Sequence, residues 1–371
     1  MGAEGVARRI ARGMGWVAAC LGVVIAYLGV NVAAILLTEP LCIVLGRATS
    51  SALGMDVVAA ADLYLSLFVQ LLSLLTFALW WRRLRPCSFL SARYGACSAS
   101  AGAWARRVAG IVLVGVAVQL LIAIALSLVW LFVPEVIDGY SELMEDSGST
   151  SFNILSVAVV ALGAPVVEEL TCRGVMMEFA LRAVCPEWRP RWLRKKKRPA
   201  SPMPAAAPES GDAATASSKD GQEGAVAEPV SSAPALGAAA TSRAAALEPS
   251  RPAPSVPVSW RRFAAAATIQ AAIFALLHGN LVQSSYAFVV GLLFAVVVWR
   301  TGSLADGMIL HAAINLSSYF MSDFVALLSM VAEALVFVVP VIFLVVGFRL
   351  FWDATAPRTH RGADDASSTL G

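Results

Sequence analysis

Apolar stretches long enough to cross a bilayer recur along this chain from Val17 to Phe351. A hydrocarbon core of about 30 Å takes roughly 20 residues of helix. The runs are continuous rather than alternating, so each reads as a helix and not as a barrel strand. Several spans must therefore pack into one bundle, with their backbone polar groups satisfied inside each helix. Composition agrees: 58% of the 371 residues are hydrophobic and 14% charged, against about 25% charged in an ordinary soluble domain.

The pattern predicts an all-α polytopic membrane bundle of about eight transmembrane helices, near 15–38, 55–81, 108–133, 152–182, 262–279, 283–300, 304–321 and 325–351. Arg8, Arg9 and Arg12 precede the first run, which continues to Leu37 and so reads as a retained span rather than a cleaved signal. Arg82, Arg83, Arg85, Arg93, Arg106 and Arg107 cluster between the second and third spans, and RPRWLRKKKR follows the fourth. Both loops should be cytoplasmic, whereas PEVIDGYSELMEDSGS between spans three and four is acidic and belongs on the other side. Both termini then lie in the cytoplasm, as an even number of spans requires. Ala- and Arg-rich usage fits a bacterial cell membrane. Trp80, Trp81, Trp130 and Trp299 sit near span ends, where interfacial anchoring and packing are both open to them.

A formal charge of +3, carried in short clusters beside the apolar runs, gives no basis for a nucleic-acid partner. The six cysteines form no CxxC pair, and no disulfides are assigned. From 199 to 257 the chain turns to Ala, Pro and Ser with scattered charges, a composition that cannot bury enough apolar surface to offset its ordering entropy. The organisation expected is spans one to three in 1–149, a core in 150–198 and 258–325, a disordered cytoplasmic insert at 199–257, and a last span with a tail in 326–371.

Within this apolar background the fourth span reads GAPVVEELTCRGVMMEFALR, placing Glu168, Glu169 and Arg173 inside a helix. Such groups cost about 2.5–3.5 kcal/mol each on insertion scales and are usually functional. Glu169 and Arg173 stand at i and i+4 and can neutralise each other. Glu168, turned about 100° away, is left unexplained by that pair. The fifth span supplies FALLHGN, with Phe274 and His278 four apart, and the seventh supplies HAAINL, with His311 and Asn315 at the same spacing. Two of only three histidines thus lie in spans; the third, His360, is in the polar tail.

Counted at about 1.5 Å per residue, Glu168 lies about 21 Å from Arg182, His278 about 24 Å from Arg262, and His311 and Asn315 about 12 and 18 Å from Ser303. The four can therefore meet at mid-depth. There Glu168 could take a proton from a water and later give it to a leaving amine, with His278 holding that water. His311 and Asn315, on one helix face, could donate hydrogen bonds to a tetrahedral oxyanion.

At these residues the chain resembles the CPBP family of intramembrane proteases, which groups CAAX prenyl endopeptidases with bacteriocin-processing and self-immunity proteins. EELTCR corresponds to the family's EExxxR motif, FALLH to FxxxH and HAAIN to HxxxN, in order, across roughly 150–321 with the insert removed. The resemblance implies eight helices around a water-filled polar cavity and hydrolysis of a peptide bond in a membrane-associated protein or peptide. Carried over by position, Glu168 is the base, His278 its partner on the water, and His311 with Asn315 the oxyanion pair. Glu169, Arg173 and Phe274 support them. Cys172 stands where the motif commonly has an aromatic, and the insert is unusually long. Nothing in the chain implies a prenylated substrate.

No cofactor is expected on this reading. Its nearest rival is a zinc protease with Glu168, His278 and His311 as ligands, although the chain has no HExxH pair. A second rival is a non-enzymatic immunity or scaffold protein of the bilayer. A transporter is weaker, with Glu333 the main other isolated intramembrane charge.

Overall fold

The computed structural model describes residues 3–91, 93, 100–146, 152–188 and 258–356. These form ten helices: α1 Ala3–Leu53, α2 Val57–Leu84, α3 Ala101–Trp130, α4 Pro134–Asp146, α5 Ile154–Val184, α6 Trp260–Leu276, α7 Leu281–Thr301, α8 Leu304–Ser318, α9 Met321–Val331 and α10 Ala334–Ala354. No strand occurs among the described residues. The predicted insert at 199–257, Cys97 and His360 lie outside them.

A polytopic helical bundle is what forms. Six helices (α1, α2, α3, α5, α7 and α10) are long and apolar enough to cross a membrane, and α8 with α9, bent by 68° at their joint, would make a seventh. The count falls short of eight for two physical reasons. Helix α6 is only 17 residues long. Helix α8 is only 15 residues long and reaches a membrane-crossing length only together with α9; Ala332, extended (φ −167°, ψ 129°), divides α9 from α10 within the run at 325–351. The boundary expected at 325/326 consequently falls inside α9. The acidic connection read as a loop contains a helix, α4, whose Ile137, Tyr140 and Met144 recur at one-turn spacing.

The bundle's outer surface is apolar: Leu36, Leu37, Leu75, Val341 and Val345 are each more than half exposed. A continuous apolar exterior suits lipid rather than water. Inside, Phe77, Phe263, Phe294, Leu181 and Leu310 are fully buried. Helices α3 and α10 approach backbone to backbone where two glycines meet; a Cβ on Gly110 would lie 2.7 Å from the Gly347 carbonyl oxygen. Two of the tryptophans pack against phenylalanines. Trp80 stacks on Phe77, and Trp299 stacks on Phe263 beneath the Arg93 guanidinium.

Helix α5 is wound unusually. Val157–Gly163 and Leu170–Met176 form wide turns bonded five residues apart, a distortion that clusters at functional sites. Pro165 explains the first. It has no N–H to give, and the Ala164 N–H bonds back to the Val159 carbonyl. The Val160 carbonyl, whose partner five residues on would be Pro165, instead accepts from Asn315 Nδ2 of α8 at 2.9 Å. Gln70 Nε2 of α2 donates to the Val159 carbonyl at 3.1 Å. Cross-helix amides thus tie the loosened turn to its neighbours, as membrane helices with freed carbonyls require.

Candidate active site

Glu168 and Glu169 end the short α-helical stretch Ala164–Glu169 that separates the two wide turns of α5, and neighbouring positions give them different surroundings. Glu169 and Arg173 have fully buried side chains joined by a 2.9 Å bond from Nη1 to Oε1. The Arg173 guanidinium lies over the rings of Phe274 (4.3 Å) and Phe294 (4.8 Å) and donates from Nη2 to the Gly291 carbonyl at 3.2 Å. Gly291 permits that approach: a Cβ there would stand 3.2 Å from Phe274 Cδ1 and 3.3 Å from Arg173 Nη2. The charge is therefore paired, hydrogen-bonded and sandwiched, the arrangement a buried ion needs.

Glu168 instead faces open space, with its side chain 26% exposed. It lines a cavity of about 500 Å³ together with His278, His311 and Asn315, so all four motif residues border one volume. Glu168 is the only carboxylate among the lining residues, and no Lys or Arg joins it. Its Oε2 lies 3.8 Å from His311 Nε2 and makes no hydrogen bond among the described residues. That oxygen is itself closed off from solvent, so the side chain's exposed area lies on its other atoms.

The histidines are held by different means. In FALLHGN, α6 stops at Leu276, Gly279 takes the left-handed conformation (φ 71°), and the Asn280 side chain caps α7 by accepting from the Gln283 N–H at 2.7 Å. His278 thus stands on the joint between two helices. Its Nδ1 lies 2.9 Å from the Phe274 carbonyl oxygen, which can only accept, so Nδ1 carries the hydrogen, and in the neutral ring Nε2 is the acceptor. His311 Nδ1 donates to Glu169 Oε1 at 3.2 Å, which turns Nε2 toward Glu168. A carboxylate behind an imidazole fixes ring orientation and tautomer.

Phe274 and Phe294 form the layer between these groups. Phe274 meets His278 edge-on at 4.8 Å and His311 at 6.2 Å, while Phe294 stacks on His311 at 4.6 Å. The two rings thus contact both the Arg173 guanidinium and the imidazoles, and Glu169 Oε1 joins Arg173 Nη1 to His311 Nδ1. Cys172, in place of the aromatic common in the motif, borders a second pocket of about 60 Å³ shared with Tyr27, Thr171, Glu168 and His278. That is room for a few waters beside the carboxylate. Among the described residues, no three His, Cys, Asp or Glu side chains are grouped so as to hold a metal ion.

Residues 242–317 match the family model described as type II CAAX prenyl endopeptidase Rce1-like. The resemblance read from the motifs is borne out over that segment, which carries FALLH and HAAIN; EELTCR lies before it. Neither the curated proteins nor the solved structures include a significant match to the chain.

Several contributors escaped the sequence reading. Arg182, used there as an interfacial depth marker, is buried and bonded to Glu178, whose carboxylate also accepts from the Phe89 N–H at 2.8 Å. The signal was available, since Glu178 and Arg182 repeat the i, i+4 spacing of Glu169 and Arg173 nine residues on. The Tyr140–Tyr286 hydroxyl contact of 2.8 Å, which joins α4 to α7 at the cavity, had no such signal because it links positions 146 residues apart.

Proposed function

We propose that the chain is an intramembrane endopeptidase in which Glu168 activates a water that attacks a peptide carbonyl. What carries the proposal is that the side chains of three separate motifs line one cavity in which Glu168 is the only carboxylate. Glu168 takes a proton from the water as its oxygen bonds to the carbonyl carbon, and later delivers that proton to the amide nitrogen as the C–N bond breaks. His278, with Nδ1–H spent on the Phe274 carbonyl, offers Nε2 as an acceptor to the water's second hydrogen. Asn315 has one amide hydrogen on the Val160 carbonyl and one left for the tetrahedral oxyanion. His311 assists there in the form that carries hydrogen on Nε2 as well as Nδ1. Glu169, Arg173, Phe274 and Phe294 act by positioning.

The products are a new carboxylate and a new amine in a membrane-associated protein or peptide. Similarity to type II CAAX prenyl endopeptidases over 242–317 supports the reaction class and leaves the substrate open. The zinc version is less favoured, because Glu168, His278 and His311 are not grouped as ligands among the described residues. The test is the pair Glu168→Ala and His278→Ala, each checked for normal insertion. Loss of biological effect in both is expected. Full retention in both would overturn the protease reading in favour of a scaffold or immunity role.

A further inference from the structure

The two ends of the bundle differ in charge, and the cavity lies toward only one of them. Arg82 and Arg83 end α2, Arg106 and Arg107 open α3, Arg261 and Arg262 open α6, Arg300 lies in the last turn of α7 and Arg349 toward the end of α10. Cross-links tie these ends together: Arg107 to Asp306 at 3.4 Å, Arg262 to Glu187, and Arg300 Nε to Thr355 Oγ1 at 2.7 Å. Of the other described arginines, Arg47 is the one at the opposite end and Arg173 is buried at mid-depth. The opposite end carries α4 with Glu135, Asp138 and Glu142. By the positive-inside rule the arginine end is cytoplasmic.

The long helices that line the cavity do so mainly with their portions away from the arginines. Helix α5 contributes Val160 to Glu168 but nothing from its last four turns, α7 contributes Gln283 to Phe294, and α8 contributes His311 to Ser318. The deepest lining residues are Glu168, Phe294 and His311, and the outermost belong to α4 and α9, Tyr140, Met144 and Ser322. On the arginine side the packing is close, broken among the described residues by a cleft of only about 10 Å³ bordered by Arg173, Met177, Glu178 and Trp299. Arg173 and Glu169 are buried under the phenylalanine layer, and below them the Glu178–Arg182 pair is closed over by Phe89, itself 1% exposed.

We propose that the cavity admits its substrate from the face of the membrane opposite the arginine-rich end. The peptide cut is then an uncharged stretch of an exported or outer-leaflet polypeptide, not a cytoplasmic C-terminal tail. The uncharged character follows from the lining, which has no Lys or Arg to hold a terminal carboxylate and presents Glu168 to acidic residues. Helix α4 borders this mouth, tied to α7 through the Tyr140–Tyr286 hydroxyls. The inference rests on the protease reading for its chemistry but not for its direction.

Two measurements separate the two. Cells expressing full-length single-cysteine variants are treated with a membrane-impermeant maleimide before and after lysis. Glu142→Cys on the outside of α4 reports the face of the bundle, Gln283→Cys and Ser322→Cys report the cavity, and native Cys87, exposed beyond α2, reports the arginine end. Labelling at 142, 283 and 322 in intact cells, with Cys87 labelled only after lysis, is expected. Any other pattern overturns the proposal, and position 142 decides the orientation even where a cavity variant fails to fold. Peptides differing between wild type and Glu168→Gln are then sought on both sides of the membrane. Differential fragments outside the cytoplasm support the proposal; fragments from cytoplasmic proteins alone overturn it. No differential fragment anywhere removes the protease reading and this inference with it, while the labelling result stands by itself.

Discussion

Arg173→Met strands the Glu169 carboxylate in a site where both partners are fully buried. The substitution removes the 2.9 Å ion-pair bond, the bond to the Gly291 carbonyl and the stacking on Phe274 and Phe294, leaving Glu169 only the His311 Nδ1–H as donor. Breaking a buried pair on one side costs about 3–5 kcal/mol, most of it the uncompensated charge that remains. Glu169→Gln alone should lose a similar amount, because Arg173 is then the orphan. In the double variant Glu169→Gln/Arg173→Met no charge is left, the amide oxygen still accepts from His311, and Met fills part of the space between the rings. Its loss should be about 1–2 kcal/mol, far below the sum of the single losses. Equilibrium unfolding in mixed micelles, followed by tryptophan fluorescence for wild type, both singles and the double, measures the coupling. A double variant that loses the sum of the two single values would refute the claim that this pair is a self-contained buried unit.

Gly307→Ala should both destabilise and inactivate, because the new Cβ would lie 2.6 Å from Val298 Cγ2 and 2.8 Å from Glu169 Oε2; overpacking of that kind costs about 1–3 kcal/mol, and unchanged unfolding together with full activity would contradict the contact. Asn315→Leu leaves the Val160 carbonyl unpaired, at about 1–3 kcal/mol of stability, and should lower kcat by about 10²–10³ through loss of an oxyanion donor; peptide release by folded variant compared with wild type reads the second effect. Tyr286→Phe removes the hydroxyl partner of Tyr140, and a bond of about 0.5–1.5 kcal/mol corresponds to amide exchange across α4 that is a few-fold to tenfold faster, measurable by mass spectrometry.

The spans were legible because a bilayer enforces continuous apolar runs, and each predicted run falls on a helix or a helix pair. The cavity residues were legible for the complementary reason: Glu168, His278, His311 and Asn315 are polar where apolar side chains are the rule, and counting residues already allowed a common depth. What stayed hidden depends on partners distant in sequence. Pro165 announces a break in α5, but that Asn315 and Gln70 would repair it follows only from helix packing. Helix α4 was masked by its acidic composition, although its apolar positions do recur on one face. The separate surroundings of Glu168 and Glu169 were half visible, since i, i+4 spacing gave Arg173 to Glu169, while the bond from Glu169 to His311 spans 142 residues.

The central claim is that Glu168 activates water for peptide-bond cleavage without a metal. Wild-type protein and Glu168→Gln, reconstituted in liposomes with the membrane proteins of cells lacking the enzyme, can be compared by quantifying new peptide N-termini with and without a strong chelator. The account predicts that wild type generates a defined set of new termini whether or not chelator is present, and that Glu168→Gln, folded and inserted, is slower by about 10²–10⁴. Termini that appear equally with Glu168→Gln, or that vanish for wild type when metal is removed, would contradict it.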